Sequence, residues 1–351
     1  MDGSHGPPMD GRTFLLTLGR QRDRMWGMNL YPLLFMPVYR DYVWGGDRIR
    51  ERFGRPAAPS PCAESWEISA HPDGMGVVEN GSCAGKTLAE ICAESGAEIL
   101  GTHCPDGRFP ILVKLIDAKT RLSVQVHPDE GAASRYGGEA KTEMWYILDA
   151  PQDAFVCAGL RPGVGPRIFG DAIKDRKVAS TLRTLPVSPG KAVFIPGGLV
   201  HAICEGCLIL EVQQSSNTTY RVYDWDRVDA GGNPRMLHVK QAMEVIDWHA
   251  PELGLFSSIP MKAAAASNKR DRVLRCDFFT MERFTLTEPE PFKPDGSSFR
   301  ALFAPDGDVA INWADGQETL PAGRSCLIPA AMPPYSLGSV DGVATVLSVE
   351  V

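Results

Sequence analysis

The chain has 351 residues, of which 44% are hydrophobic, and it carries a formal net charge of −7. This length favours two domains over one, and the apolar content allows both to be well packed. No basic block supplies affinity for a phosphate backbone, which argues against a nucleic-acid partner. No stretch approaches the length of a membrane span, so we predict no membrane partner either.

The cysteines and the N-terminus bear on the cellular compartment. Nine cysteines are scattered along the chain without the spacing of a disulfide framework. An odd number in a long chain is typical of reduced thiols, which predicts a cytoplasmic protein. Apolar residues near the start precede Arg20 and Arg22, the reverse of the order in a signal peptide. Cys204 and Cys207 lack the second pair of a zinc site, and the Glu-Gly between them favours a hairpin turn.

Along the chain, residues 1–30 show little periodicity, and we predict that they form a disordered extension. Thr87-Leu-Ala-Glu90 is a capping box that opens a helix. A buried strand is expected over residues 109–116. Residues 167–185 have the composition of a helix that decorates the β-structure, and residues 241–248 read as a further helix.

A short internal repeat marks the C-terminal part. Pro189-Gly-Lys-Ala-Val-Phe-Ile-Pro196 is echoed by Ala322-Gly-Arg-Ser-Cys-Leu-Ile-Pro329, with five residues between glycine and proline in each. The residue five positions after Pro196 is His201, whereas the residue five positions after Pro329 is Pro334. We therefore interpret the C-terminal part as a degenerate copy of the same β-unit that lacks this histidine.

The most informative stretch is LSVQVHP, in which Ser123, Gln125 and His127 alternate with apolar residues. In a strand these three side chains lie on one face. A second strand would carry Glu143 on one face together with Trp145 and Ile147. His201 follows farther along the chain. Gln125, His127, Glu143 and His201 make a nitrogen and oxygen ligand set suited to a divalent metal.

Each of these residues also has a plain structural interpretation. A single buried histidine is more often a hydrogen-bonded core residue than a metal ligand. Glu143, however, is flanked by Met144, Trp145 and Tyr146, which predict a covered strand where an unpaired carboxylate is costly. A cation relieves that cost, so the combination favours a metal site. The other histidines are interpreted as surface or helix residues: His5, His71, His103, His238 and His249.

Basic and aromatic residues near these strands are candidates for substrate contacts. Lys114 lies within an apolar strand, where lysine is rarely placed for packing. Lys141 shares the strand face of Glu143, and Arg221 follows Glu211 by ten residues. Among the tryptophans, which we expect mainly to pack, Trp44 stands beside a Gly-Gly turn and is the exception.

Acidic and basic residues also cluster just after Arg221. Asp224, Asp226 and Arg227 are interpreted as a structural salt-bridge cluster rather than as part of the site.

The motifs together resemble a known family. Gly190-x5-Pro196-x-Gly198-x2-His201 is similar to the second motif of cupins, but Gln125 stands where the first motif usually has a histidine. With that departure, LSVQVHPD, Lys141-Thr-Glu143 and the segment QSSNTTYR ending at Arg221 resemble the type I mannose-6-phosphate isomerases, specifically their shorter bacterial forms. The resemblance covers residues 31–248 and, more weakly, the C-terminal part.

This resemblance implies a mainly β fold of two cupin-type, jelly-roll barrels with a few decorating helices. Residues 31–262 would form a catalytic metal-binding domain, and residues 263–351 a degenerate cupin-like domain without metal. It implies one zinc ion per chain, held by Gln125, His127, Glu143 and His201. Arg221 and Lys141 would be active-site residues, with Ser123 and Lys114 near a sugar phosphate substrate.

The implied reaction interconverts mannose 6-phosphate and fructose 6-phosphate. A base must carry a proton between C2 and C1, and the sequence leaves Lys141 and Glu211 as alternatives. Arg221 would stabilise the developing oxyanion. Two other functions stay open: a non-catalytic sugar-binding cupin, and an iron-dependent cupin oxygenase, against which Lys114 and Gln125 both count.

Overall fold

The computed structural model describes residue 1, residues 30–228 and residues 231–351. The predicted disordered extension over residues 1–30 lies outside the described residues except for its two ends. None of the helices among the described residues is long and apolar enough to cross a membrane.

The described residues are mainly β, as the sequence predicted, and form 24 strands. In chain order these are β1 Leu33–Met36, β2 Val38–Arg40, β3 Glu64–Ile68, β4 Val77–Val78, β5 Ile111–Asp117, β6 Val124–Val126, β7 Glu143–Asp149, β8 Phe155–Leu160, β9 Leu182–Pro186, β10 Ala192–Ile195, β11 His201–Ile203, β12 Leu208–Gln214, β13 Tyr220–Tyr223, β14 Leu255–Phe256, β15 Ile259–Met261, β16 Lys269–Arg275, β17 Thr280–Leu286, β18 Glu290–Phe292, β19 Arg300–Asp306, β20 Val309–Trp313, β21 Gly316–Leu320, β22 Ser325–Ile328, β23 Tyr335–Ser339 and β24 Ala344–Glu350.

Five α-helices connect strands within the described part of the chain. They are α1 Arg48–Arg52, α2 Leu88–Leu100, α3 Glu130–Tyr136, α4 Pro166–Lys174 and α5 Val239–Val245. The capping box is confirmed: the Thr87 side chain accepts from the Glu90 amide and the Glu90 side chain accepts from the Thr87 amide. Short 3-10 turns cover Pro72–Gly74, Gly81–Cys83 and Val178–Thr181.

The strands make four sheets, which we group as two pairs. The N-terminal pair has a seven-stranded sheet, ordered β14-β10-β7-β12-β5-β3-β2, and a five-stranded sheet, ordered β13-β6-β11-β8-β9. The C-terminal pair has an eight-stranded sheet, ordered β15-β16-β17-β24-β19-β22-β1-β4, and a four-stranded sheet, ordered β18-β23-β20-β21.

The two pairs repeat one strand order. In the larger sheets, β10-β7-β12-β5-β3-β2 corresponds to β22-β19-β24-β17-β16-β15, and in the smaller sheets β6-β11-β8-β9 corresponds to β18-β23-β20-β21. The strands that carry the sequence repeat, β10 and β22, occupy equivalent places. The internal repeat in the sequence therefore reflects a repeated topology.

Alternation along β7 separates two cores and positions the first residue of the strand. Met144 and Tyr146 are buried in the same cluster as residues of the C-terminal pair, whereas Trp145 and Ile147 belong to a cluster within the N-terminal pair. Glu143 begins the strand on the face of Trp145, as the period-two pattern predicted. The carboxylate therefore points between the two sheets of the N-terminal pair.

The N-terminal segment also contributes strands to the C-terminal pair. Leu33 in β1 pairs with Leu327 in β22, so the first strand of the described chain completes the larger C-terminal sheet. Sheet pairing thus crosses the predicted division between residues 262 and 263, a division that stays a prediction.

Three local predictions need correction. The predicted helix over residues 167–185 ends at Lys174, and residues 182–186 form β9, which pairs antiparallel with β8 and buries Leu182 and Leu185. The turn between Cys204 and Cys207 is present, but it joins strands of different sheets and closes no hairpin. The helix expected over residues 241–248 begins earlier and ends earlier, as α5.

Candidate metal centre and substrate cavity

Four strands bring the predicted polar residues together. In the smaller N-terminal sheet, Gln125 of β6 lies between His201 of β11 and Arg221 of β13. In the larger sheet, Glu143 of β7 pairs with Gln213 of β12. The centre therefore forms where the two sheets face each other, and its members come from positions up to 96 residues apart in the chain, from Gln125 to Arg221.

His127, Glu143 and His201 form a compact cluster that could hold a metal ion. One ligand atom from each lies within 4.8 Å of the others. Glu143 Oε2 is 3.5 Å from His127 Nε2, and Glu143 Oε1 is 3.4 Å from His201 Nε2. All three side chains are at most 1% exposed. The separations leave space for an ion between the donor atoms.

Backbone carbonyls fix both imidazole rings. His127 Nδ1 donates to the carbonyl of Thr218 at 2.8 Å, and His201 Nδ1 donates to the carbonyl of Leu199 at 2.8 Å. Because each Nδ1 carries the proton, each Nε2 keeps a lone pair directed at the cluster. This orientation of histidine by a backbone partner is typical of metal ligands.

Gln125 lies at the edge of the same cluster. Its Nε2 is 3.3 Å from His201 Nε2, and its Oε1 accepts from the Ser123 hydroxyl at 3.2 Å. Rotation of the amide by half a turn exchanges oxygen and nitrogen at these two points. Gln125 can therefore offer an oxygen to the centre, and the predicted set of Gln125, His127, Glu143 and His201 is brought together.

Lys141 supplies a positive charge beside these donors. Its Nζ lies 2.8 Å from Glu143 Oε2 and donates to His127 Nε2 at 3.2 Å. Burial lowers the pKa of Lys141, but the carboxylates of Glu143 and Glu211 outweigh that effect and hold the pKa above its usual value. The ammonium is therefore charged at neutral pH in this arrangement.

Burial dominates the acid–base properties of the ligands. It lowers the pKa of His201 to about 4 and that of His127 well below its usual value, so both rings are neutral at pH 7. Burial and the nearby Glu211 raise the pKa of Glu143 to about 7. Neutral imidazoles are the form that binds metal.

A metal ion fits these residues. Glu143 Oε1 is buried and accepts no hydrogen bond from any described residue. Such a carboxylate oxygen is costly unless a cation meets it. The two Nε2 lone pairs point to the same region as this carboxylate oxygen. All three donor atoms can therefore contact one cation.

A cavity of about 280 Å³ opens beside the cluster. It is lined by Gln125 and by every residue predicted to contact a substrate or do chemistry: Trp44, Lys114, Ser123, Lys141, Glu211 and Arg221. Its size is near the lower end of the usual range for small-molecule sites. The cavity therefore suits a small polar ligand with one end directed at the metal cluster.

Lys114 and Glu211 form the buried floor of this cavity. The two pair directly across β5 and β12, and Lys114 Nζ lies 3.5 Å from Glu211 Oε2 and 3.8 Å from Glu64 Oε2. Trp145 Nε1 donates to Glu211 Oε1 at 3.0 Å. Burial raises the pKa of Glu211, yet Lys141 and Lys114 outweigh it and keep the pKa below its usual value. Glu211 is therefore an ionised carboxylate at neutral pH.

Arg221 lies at the more open side of the cavity. Its Nε donates to Ser123 Oγ at 3.3 Å, and its Nη1 donates to the carbonyl of Met236 at 2.9 Å. Burial and the charge of Arg235 lower its pKa, but a guanidinium remains protonated at any physiological pH. Arg221 is thus a fixed cation facing the cavity.

The Gly-Gly turn explains the position of Trp44. A Cβ on Gly45 would lie 2.6 Å from the Ala63 Cα, so only glycine allows this turn to lie against the start of β3. Trp44 is 3% exposed and lines the cavity. Trp44 therefore both packs in the core and forms part of the cavity wall.

Sequence reasoning missed several cavity residues. Tyr42, Glu64 and Arg235 also line it. Glu64 reaches Lys114 because β3 pairs with β5, a contact between distant segments that no local pattern reveals. Arg235 is held by Asp224 at 2.5 Å, and Asp224 also pairs with Arg227 at 2.5 Å. Asp224 and Arg227 therefore form an ion pair as interpreted, but Asp226 does not join them and lies 3.5 Å from Arg176 instead.

Among the remaining histidines, the interpretation of His71 as a surface or helix residue is wrong. Its side chain is 6% exposed and its Nε2 lies 3.2 Å from a Glu139 carboxylate oxygen. Its ring makes a T-shaped contact with Trp66, with the ring centroids 6.2 Å apart. His71 is buried because the loop after β3 folds back against that strand, a tertiary effect that the local sequence does not encode.

A buried histidine and carboxylate cluster at the wall of a polar cavity is typical of enzymes that use a metal ion on a small substrate. The family described as phosphomannose isomerase type I, catalytic domain, matches residues 33–152. The chain is 42% identical to the mannose-6-phosphate isomerase ManA of Bacillus subtilis, over 74% of this chain and 81% of that protein. It is 40% identical to a mannose-6-phosphate isomerase of Streptococcus mutans, over 61% of this chain and 67% of that protein.

A solved structure agrees with these relatives. The crystal structure of a mannose 6-phosphate isomerase from Bacillus subtilis matches with a TM-score of 0.82 at 30% identity, covering 91% of this chain and 99% of that one. The chain belongs to the mannose-6-phosphate isomerase family.

Proposed function

We propose that this protein interconverts mannose 6-phosphate and fructose 6-phosphate with the help of one zinc ion per chain. The observation that carries the proposal is the unpartnered Glu143 oxygen between two oriented imidazoles, at the wall of a cavity with cationic side chains. Gln125, His127, Glu143 and His201 are the proposed ligands. Two neutral imidazoles, an amide and one carboxylate suit zinc and leave net positive charge at the centre.

The reaction moves a proton from C2 of the aldose to C1 of the ketose, by way of an enediolate. When bound, zinc supplies Lewis acidity that polarises the sugar carbonyl. The remaining work falls to side chains of this chain: they hold the sugar phosphate, carry the proton and stabilise negative charge on the sugar oxygens.

Two buried groups can carry the proton, and they differ in their charge state. Glu211 is ionised at neutral pH and can accept a proton through Oε2, while Trp145 holds its other oxygen at 3.0 Å. Lys141 lies nearer the ligands, 3.2 Å from His127 Nε2, and must first lose its own proton to act as a base. Glu211→Gln and Lys141→Met each remove one candidate, and the base is the group whose loss abolishes exchange of the C2 proton with solvent.

Arg221 is the proposed oxyanion partner. Its guanidinium is fixed by Ser123 and by the carbonyl of Met236, so it is preorganised before a ligand enters. A fixed cation of this kind stabilises charge that develops during the reaction without reorganisation at that moment. Ser123 is proposed to contact the substrate as well as to orient Arg221.

Lys114 and Trp44 complete the proposed substrate contacts. Lys114 is a point charge on the cavity floor and suits a phosphate or a sugar oxygen. Trp44 offers an apolar wall on which the less polar face of a sugar can lie.

The proposal extends to the domain organisation and the cellular location of the protein. We infer that the two sheet pairs are two cupin-type jelly-roll barrels, with the catalytic domain over residues 31–262 and the degenerate one over residues 263–351. The described residues contain no disulfide, which supports a cytoplasmic location.

A coupled assay tests the function directly. Fructose 6-phosphate formed from mannose 6-phosphate should be detected with the purified protein, lost after treatment with a chelator and restored by zinc. If zinc did not restore isomerisation and the iron-loaded protein instead consumed oxygen, an iron-dependent oxygenase would be favoured. Sugar binding without turnover in any metal-loaded form would favour a non-catalytic binding protein.

A further inference from the structure

The two histidines of the metal cluster differ in what orients them. His201 donates to the carbonyl of Leu199, two residues before it in the chain, so local backbone geometry brings the two together. His127 donates to the carbonyl of Thr218, which lies 91 residues farther along. The direction of the His127 ring therefore depends on the tertiary position of a distant segment.

That segment consists of residues 215–219, between β12 and β13, and we call it the β12–β13 segment. It belongs to neither strand, so contacts outside the sheet ladders fix its position. Thr218 at its centre contacts His127, and its neighbours Asn217 and Thr219 line the substrate cavity. A shift of this segment would therefore disturb both a metal ligand and the cavity wall.

Glu139, on the loop between α3 and β7, contacts three consecutive residues of the β12–β13 segment. Its backbone amide donates to Thr218 Oγ1 at 2.9 Å, and its carbonyl accepts from the Ser216 hydroxyl at 3.2 Å. Its carboxylate Oε2 accepts from the backbone amide of Asn217 at 2.9 Å. One residue thus fixes the backbone on both sides of the Thr218 carbonyl.

His71 holds the Glu139 carboxylate in place. Its Nε2 lies 3.2 Å from each of the two carboxylate oxygens. Because His71 Nδ1 accepts from the Asp73 amide at 3.1 Å, the ring proton is on Nε2, which donates to Glu139. The His71 side chain is 6% exposed, whereas that of Glu139 is 48% exposed. A buried donor of fixed direction therefore restrains a carboxylate that is half open to solvent.

We propose that Glu139 is a positioning residue for the metal ligand His127. Through the β12–β13 segment it fixes the Thr218 carbonyl, and the Thr218 carbonyl in turn fixes the direction of His127 Nε2. The inference rests on the proposed function for the identity of the ion, which is zinc. Loss of a group that orients a metal-binding histidine weakens metal binding about 10- to 100-fold.

Competition with a chelator measures the zinc affinity of side-chain variants. Glu139→Ala keeps both backbone contacts, so we expect a loss at the lower end of that range, about tenfold. Glu139→Gln retains an oxygen for the Asn217 amide and should stay within about threefold of wild type. Asp149→Ala is the matched control, because Asp149 is 47% exposed, pairs with Arg48 and lies at the far end of β7 from Glu143. It should bind zinc like the wild-type protein.

Thr218→Val tests the same contact from the other side. It removes the hydroxyl that accepts from the Glu139 amide and leaves the carbonyl that orients His127. Zinc binding should weaken, and the double variant with Glu139→Ala should approach a loss of about 100-fold, because the segment is then released at two points. Circular dichroism should show that each variant is folded.

The metal-free protein gives a readout that needs neither zinc nor turnover. The His127 side chain is 1% exposed and its Nδ1 proton is bonded to Thr218, so this proton should exchange slowly with solvent. Proton NMR follows the exchange, and the absence of the signal from His127→Ala identifies it. Exchange should be about tenfold faster or more in Glu139→Ala, and unchanged in Asp149→Ala.

Two results would overturn the proposal. One is a Glu139→Ala protein with wild-type zinc affinity and wild-type proton exchange. The other is a Glu139→Gln protein as impaired as Glu139→Ala, which would assign the effect to the charge of the carboxylate and not to its contact with Asn217.

Failure of the proposed function would look different. A wild-type protein that bound zinc without isomerising the sugar phosphate would contradict the proposed reaction and leave the affinities of the variants to be compared. A wild-type protein that bound no zinc would contradict the metal centre, while proton exchange in the metal-free protein would still show whether Glu139 orients His127.

Discussion

The Lys141 ammonium lies 2.8 Å from the Glu143 carboxylate, inside the group of donors that would hold a metal ion. One carboxylate thus faces two cations when the metal is bound, the ion and the ammonium. Because the like charges repel each other, Lys141 costs metal affinity. A residue kept at such a cost is expected to serve the reaction rather than the binding of metal.

Lys141→Met should therefore separate catalysis from metal binding. We expect turnover to fall on the order of 100-fold or more, whether the ammonium carries the proton or stabilises negative charge on the sugar oxygens. Zinc affinity, measured by competition with a chelator, should stay the same or rise. Lys119→Met, at an exposed position, is the matched control and should change neither quantity. Loss of zinc from the Lys141→Met protein would show that the lysine supports the ligands instead.

Removal of either imidazole should remove the metal. His127→Ala and His201→Ala are each expected to lose bound zinc and activity together, while the circular dichroism spectrum stays that of a folded protein. His249→Ala, which removes an exposed histidine, should keep one zinc per chain. Metal analysis after dialysis gives the answer, and full zinc content in both ligand variants would contradict the assignment of the site.

Local alternation predicted part of the group of polar side chains that the structure brings together, although His201 was found from its own segment farther along the chain. Ser123, Gln125 and His127 follow the period of two in an extended segment, and Glu143 begins a covered strand, so each could be recognised from its immediate neighbours. Glu64 could not, because it enters the cavity only when β3 pairs with β5. The burial of His71 likewise depends on contacts with Glu139 and Trp66 that the folded chain creates.

The mainly β class followed from the sequence, but the contribution of N-terminal strands to the C-terminal sheet did not. Predicting strands requires only alternation and turn residues, whereas the pairing of β1 with β22 joins segments nearly the whole chain apart. The interpretation of residues 167–185 as one helix failed for a related reason. The strand β9 has only five residues, and its buried leucines, Leu182 and Leu185, stand three positions apart, so it shows no period of two.

A buried ion pair should make the contact between the two sheet pairs sensitive to mutation. Arg55 makes a two-pronged contact with Glu67, at 2.6 and 2.9 Å, and Ser325 of β22 donates to Glu67 at 3.1 Å. Arg55→Met leaves the carboxylate buried without its cation, and we expect the free energy of unfolding to fall by about 3–5 kcal/mol.

The double variant Arg55→Met with Glu67→Met is the control for that pair. Because it removes both charges, it should be more stable than Arg55→Met alone in chemical denaturation. Equal stability of the single and double variants would show that the unpaired carboxylate is not the source of the loss.

The ion cluster at Asp224 predicts a stability effect that depends on pH. Arg235 and Arg227 outweigh the effect of burial and hold the pKa of Asp224 below its ordinary value of 3.8. The carboxylate therefore stabilises the fold above pH 3.8, and this contribution disappears as the pH falls through the lower folded-state pKa. Asp224→Asn should destabilise the protein by about 1 kcal/mol at pH 7, after allowance for solvent screening.

Thermal unfolding at several pH values checks this. The difference between wild type and Asp224→Asn should persist from pH 7 to about pH 4 and close only below that, because both proteins are then neutral at this position. Asp226→Asn, at an exposed pair with Arg176, should have little effect at any pH. A deficit for Asp224→Asn that did not shrink in acid would point to lost packing rather than lost charge.

Arg221 and Lys114 face the same cavity, but their substitution should change different kinetic constants. Lys114 lies on the buried floor beside Glu211, and its charge is proposed to hold groups that are already present in the bound sugar phosphate. Lys114→Met should therefore mainly raise KM, as expected when an interaction is equally strong in the ground state and the transition state.

Arg221 is expected to act on charge that appears only during the reaction. Ser123 and the Met236 carbonyl hold its guanidinium in place, so its contribution should be larger for the enediolate than for the sugar. Arg221→Ala should lower kcat on the order of 100-fold with little change in KM, as for other lost oxyanion donors. Steady-state kinetics on the zinc-loaded enzyme give both constants. Raised KM with kcat intact would instead make Arg221 a phosphate-binding residue, because only ground-state binding would then have been lost.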